Sequence, residues 1–245
     1  MSAVISVLKI ILAVLLGLLL TYLLAFILSA LLVDPNRLYP AGNRWYRFLL
    51  DSAVWAVIVF GRIRITVKGA EKLPDGPYYL VQNHSSNFDP LATWYALKDK
   101  KLVFISKETN LRLFCAGRIV RRCGCLPIER DNPRDSVKTL QKAAEMMQSG
   151  NANVGVFPEG TRNHGGDMLP FHNGVLKAAK TAGVPVVVTA MTGTYRVQKN
   201  WPWKRSRLVL ELVDVIPAEE VVARRNAELG ERIRREIEQA LAENA

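Results

Sequence analysis

Tyr78-Tyr79-Leu80-Val81-Gln82-Asn83-His84-Ser85-Ser86-Asn87-Phe88-Asp89-Pro90 is the stretch from which the fold can be read. Residues 78–82 are a short, mostly apolar run, the signature of a buried strand. Pro90 suits the first position of a helix, where its missing N–H costs nothing, and Asp89 suits the N-cap before it. The segment therefore reads strand, turn, helix. His84 falls at the strand end and Asp89 at the helix start, so the turn can bring their side chains together. A regular helix would not, because residues five apart lie on different faces.

The same grammar repeats on either side. Further strands are expected at residues 62–68, 102–105, 126–128, 154–157, 185–190 and 208–215. Helices are expected at 90–97, 134–148 and 174–182. Gly69 and residues 74–77 mark the turn between the first two strands. Strands separated by helices give an α/β fold with a largely parallel mixed sheet flanked by helices. Residues 219–243 are rich in charge, but Val222, Leu229, Ile233, Ile237 and Leu241 recur on one face, which predicts an amphipathic helix packed on the domain.

The N-terminus is of another kind. Residues 10–33 carry no charge, and their polar members are Thr21, Tyr22 and Ser29. As a helix the run spans roughly 36 Å, enough to cross a bilayer and too long for the apolar core of a signal peptide. Arg37, Arg44 and Arg47 follow it and Lys9 alone precedes it, a bias that puts the following domain on the cytoplasmic side. Residues 48–60 are short for a span and read as an interfacial or re-entrant helix, with Trp45, Tyr46 and Trp55 at headgroup depth; a helix buried in the domain is the alternative. The expected organisation is a membrane anchor over residues 1–61 and a catalytic domain over residues 62–245, with the membrane-embedding helical segment N-terminal.

The chain of 245 residues carries a net charge of +11, which points to an anionic partner. Beside an apolar N-terminus, that partner is an acidic membrane surface or a phosphorylated substrate and not nucleic acid. Cys115, Cys123 and Cys125 form no cluster at zinc spacing and read as reduced structural thiols. Gly-x-Ser-x-Gly does not occur, which argues against a serine hydrolase.

Two constellations carry chemistry. The first is the pair His84 and Asp89. A neutral imidazole can take the proton of an alcohol while a carboxylate on its other nitrogen fixes the tautomer and stabilises the imidazolium. The alcohol can then attack an acyl donor without an enzyme nucleophile. A satisfied histidine beside an ordinary helix cap is the plain alternative. The second is Phe157-Pro158-Glu159-Gly160-Thr161-Arg162, which follows a strand. Gly160 permits a tight turn, Arg162 can grip a phosphate through two parallel hydrogen bonds, and Thr161 adds a hydroxyl. Lys107, just beyond the strand at 102–105, is a further phosphate candidate. His164 and His172 read as loop residues. The oxyanion donors of an acyl transfer are sought in backbone N–H groups near His84 or at the helix starting with Pro90. Residues 196–207 interleave Arg196, Lys199, Lys204, Arg205 and Arg207 with Trp201 and Trp203. That mixture suits anionic lipid, the phosphates of CoA or an acidic carrier protein; an exposed loop over buried tryptophans is the alternative.

Asn-His-x4-Asp ahead of Phe-Pro-Glu-Gly-Thr-Arg, behind an apolar N-terminus, resembles the glycerolipid acyltransferases, and more narrowly the bacterial 1-acyl-sn-glycerol-3-phosphate acyltransferase family. Gly124-Cys125-Leu126-Pro127-Ile128-Glu129-Arg130 and Val184-Pro185-Val186-Val187-Val188 are similar to two further blocks of that family. Pro127 and Thr189-Ala190 depart from its more usual residues. The resemblance runs from about residue 62 to 216. It implies that His84 is the general base and Asp89 its orienting partner. It also implies that Arg130, Glu159, Gly160, Thr161 and Arg162 hold the acceptor's glycerol phosphate. The implied reaction moves an acyl group from acyl-CoA or acyl-carrier protein to the sn-2 hydroxyl of lysophosphatidate, giving phosphatidic acid, with no metal or cofactor. Another acceptor, such as a lyso-ornithine lipid or glycerol 3-phosphate, and a non-catalytic module binding anionic membrane lipid are the rival readings.

Overall fold

The computed structural model describes residues 2–129 and 132–244. Its centre is one seven-stranded sheet: β1 (Ile63–Lys68), β2 (Tyr79–Gln82), β3 (Leu102–Lys107), β4 (Leu126–Ile128), β5 (Asn153–Val156), β6 (Val186–Thr192) and β7 (Ser206–Ile216). The spatial order is β1-β7-β6-β2-β5-β3-β4. Every neighbouring pair is parallel except β6 with β7. Central strands of such a sheet are covered on both faces and so run apolar without alternation. Every residue of β2 is buried, while edge strand β1 alternates. All seven strands fall where the sequence placed them, with ends moved by a residue or two.

The helices, in chain order, are α1 (Ser2–Leu31), α2 (Arg44–Phe60), α3 (Phe88–Ala96), α4 (Glu108–Leu111), α5 (Ala116–Arg122), α6 (Pro133–Gln148), α7 (Lys177–Ala182), α8 (Val197–Asn200), α9 (Ala218–Ala223) and α10 (Asn226–Glu243). The α7 segment opens with a 3-10 turn at Asn173–Leu176. The four-residue helices α4 and α8, and α5, are too short to show a period and were not expected.

Two expectations are corrected. The C-terminal helix is broken, because Arg224 and Arg225 adopt extended backbone between α9 and α10. The break shifts the face, so Val221 is buried and Val222 is exposed. Arg232 then ties the pieces together, bonding Glu236 in its own helix, Glu220 in α9 and Asp214 in β7. The second correction concerns the boundary expected at residue 61, since α2 packs on the domain. Leu49, Leu50, Val54 and Ile58 are buried against the domain. Asp51 accepts from Trp94 Nε1 at 2.6 Å, and Arg47 lies over the Trp94 ring. Packing therefore crosses the expected boundary at residue 61. The opposite face of α2 leaves Trp45, Phe48, Trp55 and Phe60 exposed, as an interfacial helix would.

Among the described residues, one helix is long and apolar enough to cross a membrane, Ala3–Leu31. Its last turns dock on α2: Trp45 Nε1 donates to Ser29 Oγ at 2.9 Å and Tyr46 Oη to the Ser29 carbonyl at 3.0 Å. Residues 3–21 are exposed and, apart from Ser6, Lys9 and Thr21, apolar or glycine. Near the other end of α2, the Trp201 ring lies on Gly61, while Trp203 is exposed. The basic stretch at 196–207 is therefore not a loop over two buried tryptophans.

Candidate active site

Parallel strands gather their C-terminal ends on one edge of the sheet, where open α/β folds place ligands. Here β2 delivers His84, β3 delivers Lys107, β5 delivers the 158–162 loop, and β6 delivers Thr194. His84, Lys107, Gly160, Thr161 and Arg162 all line one cavity of about 730 Å³, together with Phe104, Ile128, Leu140, Phe157, His172 and Lys177. Its walls are apolar toward β3 and α6 and cationic at the loops. Arg130 lies outside the described residues.

His84 Nδ1 is 2.8 Å from Asp89 Oδ2. That oxygen also accepts the N–H groups of Ser85 and Ser86, each at 2.7 Å. Its twin Oδ1 accepts the hydroxyl of Thr194, which the chain brings from the far side of β6. Asp89 is fully buried and the His84 side chain is 17% exposed. A buried carboxylate is tolerated when its lone pairs are taken by donors, and here four donors take them.

Asp89 is not the N-cap. The helix begins at Phe88, two residues earlier than expected. Ser86 Oγ accepts from Phe88 N at 3.2 Å while Asp89 reaches back to the Ser86 N–H. Both bonds reach ahead of the helix proper, whose N-cap, Asn87, makes no side-chain cap bond. The turn spends much of its own donor supply. The N–H groups of His84, Ser85, Ser86 and Phe88 are all engaged, and Pro90 has none.

Glu159 is the second buried carboxylate, 2% exposed. Its Oε1 accepts the backbone N–H of His84 at 2.6 Å, and its Oε2 accepts from Leu169 N at 2.8 Å and Asn163 Nδ2 at 3.1 Å. Burial outweighs these bonds and holds its carboxyl above the usual range. The grip on phosphate expected of Glu159 is thus corrected. Its oxygens face inward and fix the histidine's main chain, and a carboxylate repels phosphate. Asn163 N closes the same joint on the His84 carbonyl at 2.9 Å.

Arg162 does stand free to bind. Its Nη1 donates to Asn87 Oδ1 at 2.6 Å, which steadies the guanidinium beside the histidine turn and leaves other N–H groups for an anion. Gly160 has a φ of 71°, the left-handed backbone its turn was expected to need. Behind the imidazole, Phe157 stacks at 4.4 Å and Phe104 on Phe157 at 5.4 Å. Gly155 makes that stack possible, because a Cβ there would lie 2.6 Å from the Phe104 ring.

Sequence reasoning missed Thr194, Asn163, Asn87 and the two phenylalanines. Thr194 lies 105 residues from Asp89, and no local pattern marks it. His172, read as a loop residue, lines the cavity. Among the described residues no group of three or more His, Cys, Asp or Glu is placed to hold a metal ion.

The family model described as "Acyltransferase" matches residues 64–192. The chain is 30% identical over 200 residues to a cattle (Bos taurus) 1-acyl-sn-glycerol-3-phosphate acyltransferase alpha, covering 72% of this chain and 69% of that one. It is 33% identical over 171 residues to the mouse (Mus musculus) protein of the same name, covering 61% of this chain and 60% of that one, so it spans three fifths of that relative. A crystal structure of the 1-acyl-sn-glycerophosphate acyltransferase PlsC from Thermotoga maritima superposes with a TM-score of 0.63 at 21% identity, covering 91% and 88% of the two chains, a likeness of fold.

Proposed function

This chain belongs to the acyltransferase family, and on that premise we propose that it moves a fatty acyl group from acyl-CoA or acyl-carrier protein to the sn-2 hydroxyl of 1-acylglycerol 3-phosphate, yielding phosphatidic acid at the cytoplasmic side of a membrane. The observation that carries the reading is the 2.8 Å bond between His84 Nδ1 and a fully buried Asp89, made in the wall of a cavity shared with Arg162 and Lys107.

The geometry supports a direct transfer. With Nδ1–H donated to Asp89, Nε2 is the basic nitrogen of His84. Arg162, Lys107 and the Thr161 hydroxyl hold the acceptor's phosphate; Arg130 is assigned there from its motif. As the free hydroxyl oxygen attacks the thioester carbon, its proton passes to Nε2. The tetrahedral intermediate collapses, the C–S bond breaks, and the imidazolium returns the proton to the departing sulfur. Ester and free thiol are the products. Phosphate held away from the reacting atoms orients the hydroxyl, so binding energy lowers the barrier without new chemistry.

Purified His84→Ala tests the reading. It is expected to keep the parent's circular dichroism and to form phosphatidate from acyl-CoA and lysophosphatidate about 10²- to 10⁴-fold more slowly, the usual worth of a positioned base. Full turnover in that variant overturns the base assignment. Equal use of an acceptor stripped of its phosphate overturns the role of Arg162.

A further inference from the structure

Between α4 and α5 the chain turns outward at Leu113 and Phe114. These two adjacent large apolar residues are 60% and 67% exposed. The exposure is built in. Cys115 has φ 58° and ψ −77°, and the Phe114 carbonyl accepts the N–H of Ala116 at 2.8 Å. That is a γ-turn with positive φ at a residue carrying a Cβ, a strained form that persists only when its surroundings enforce it.

The surroundings do enforce it. Arg121, 2% exposed, donates to Glu108 Oε2 at 2.5 Å, and Glu108 Oε1 accepts from Arg112 Nε at 2.6 Å. Gly117 lets α5 press on the backbone of Asn110 and Leu111, where a Cβ would collide. A clamp of this kind holds two apolar side chains out in solvent against the hydrophobic effect.

What they face follows from the neighbours. Helix α5 packs on α1, the helix able to cross a membrane. Arg112 Nη2 donates to Asn36 Oδ1 at 2.9 Å, fastening the turn to the segment in which α1 ends. Lys107 and Asn110, just ahead of the turn, line the His84 cavity. Arg112 is half exposed beside the apolar pair, as a cation at headgroup depth would be.

We infer that Leu113 and Phe114 form a second membrane contact, a wedge that enters the boundary between headgroups and acyl chains of a phospholipid bilayer beside the cavity mouth. The wedge holds the mouth against the bilayer, so a lysolipid passes to His84 without its acyl chain crossing water. This last consequence rests on the acceptor proposed above.

The test uses the full chain in bilayers. Phe114→Trp is compared with the parent in vesicles containing phospholipids brominated along the acyl chain. Additional quenching, with the added signal shielded from aqueous acrylamide, is expected. No additional quenching, or free access to acrylamide, overturns the contact. Both readouts work without turnover and so stand apart from the acceptor's identity. In the double variant Leu113→Ser, Phe114→Ser, KM for lysolipid presented in a bilayer is expected to rise about tenfold with kcat unchanged. A short-chain, water-soluble acceptor should show no change. Equal loss with both acceptors, or no loss with either, overturns the role of the wedge.

Discussion

Removing one hydroxyl far from the histidine in sequence should slow the reaction. Thr194 is fully buried, and its Oγ1 donates to Asp89 Oδ1. Valine has nearly the same shape, so Thr194→Val opens no cavity. It leaves Oδ1 without a donor, while Oδ2 keeps His84, Ser85 and Ser86. A hydrogen bond to a charged group is worth about 1.5–3 kcal/mol. Part of the loss falls on the resting protein and lowers its melting temperature. The part that grows as imidazole becomes imidazolium falls on the transition state. At about 1.4 kcal/mol per factor of ten the whole bond is worth about 10- to 100-fold, so the share that falls on the transition state should lower kcat by about three- to tenfold. KM should hold, because Thr194 does not line the cavity. Steady-state acyl transfer with Thr194→Val and Thr194→Ser decides the matter, the serine being expected to restore most of the rate. An unchanged kcat in the valine variant, or a serine variant equally slow, refutes the positioning role.

Other expectations follow from the same joint. Glu159→Gln puts an amide N–H₂ against either the His84 or the Leu169 N–H, since one carbonyl cannot replace two carboxylate oxygens. It should lower stability by about 2–4 kcal/mol and kcat with it. Its pH dependence has a definite sign. Burial raises the folded-state value of Glu159 above the ordinary 4.5, so the parent loses stability as pH rises through that raised value, while the non-titrating glutamine does not. The gap in melting temperature should therefore narrow as pH rises above 4.5, and a widening gap would contradict the burial argument. Gly155→Ala forces the Phe104 ring to move and with it the stack behind His84. The expected loss is about 1–3 kcal/mol from overpacking, read by thermal unfolding, with a matching fall in kcat.

The sheet was legible because burial on both faces of a parallel strand writes itself as an apolar run. The spacing of β2, the histidine turn and α3 shows the limit of such reading. Pro90 signalled a helix start correctly, yet the helix begins at Phe88, since Pro is tolerated anywhere in the first turn and Asp89 bonds back to the Ser85 and Ser86 N–H groups from inside the helix. The C-terminal helix misled for a similar reason. The fourfold spacing from Leu229 onward is real, but extending it back to Val222 ignored the competition that Arg224 and Arg225 resolve by extended backbone. What local pattern cannot contain is a contact between distant strands. Thr194 on Asp89 and Gly155 beneath Phe104 are facts of register, set when β6, β2, β5 and β3 align.

The two buried carboxylates explain why the histidine turn needs so much support. In the proposed base role the imidazole gains and loses a proton, and the bond that orients its ring changes strength at each step. Asp89 bonds the ring, and its strength depends on the protonation state of His84. Glu159 bonds the main chain of the same residue and meets the ring's charge only through space, as the weakest of the influences on its carboxyl. In the proposed transfer, the second carboxylate would therefore hold His84 in place while the first is engaged by charge. The cost is a carboxyl group buried beyond what its three donors fully offset, as its raised value records. That residual penalty is why Glu159 should give stability a pH dependence of one sign, falling as pH rises through its raised value.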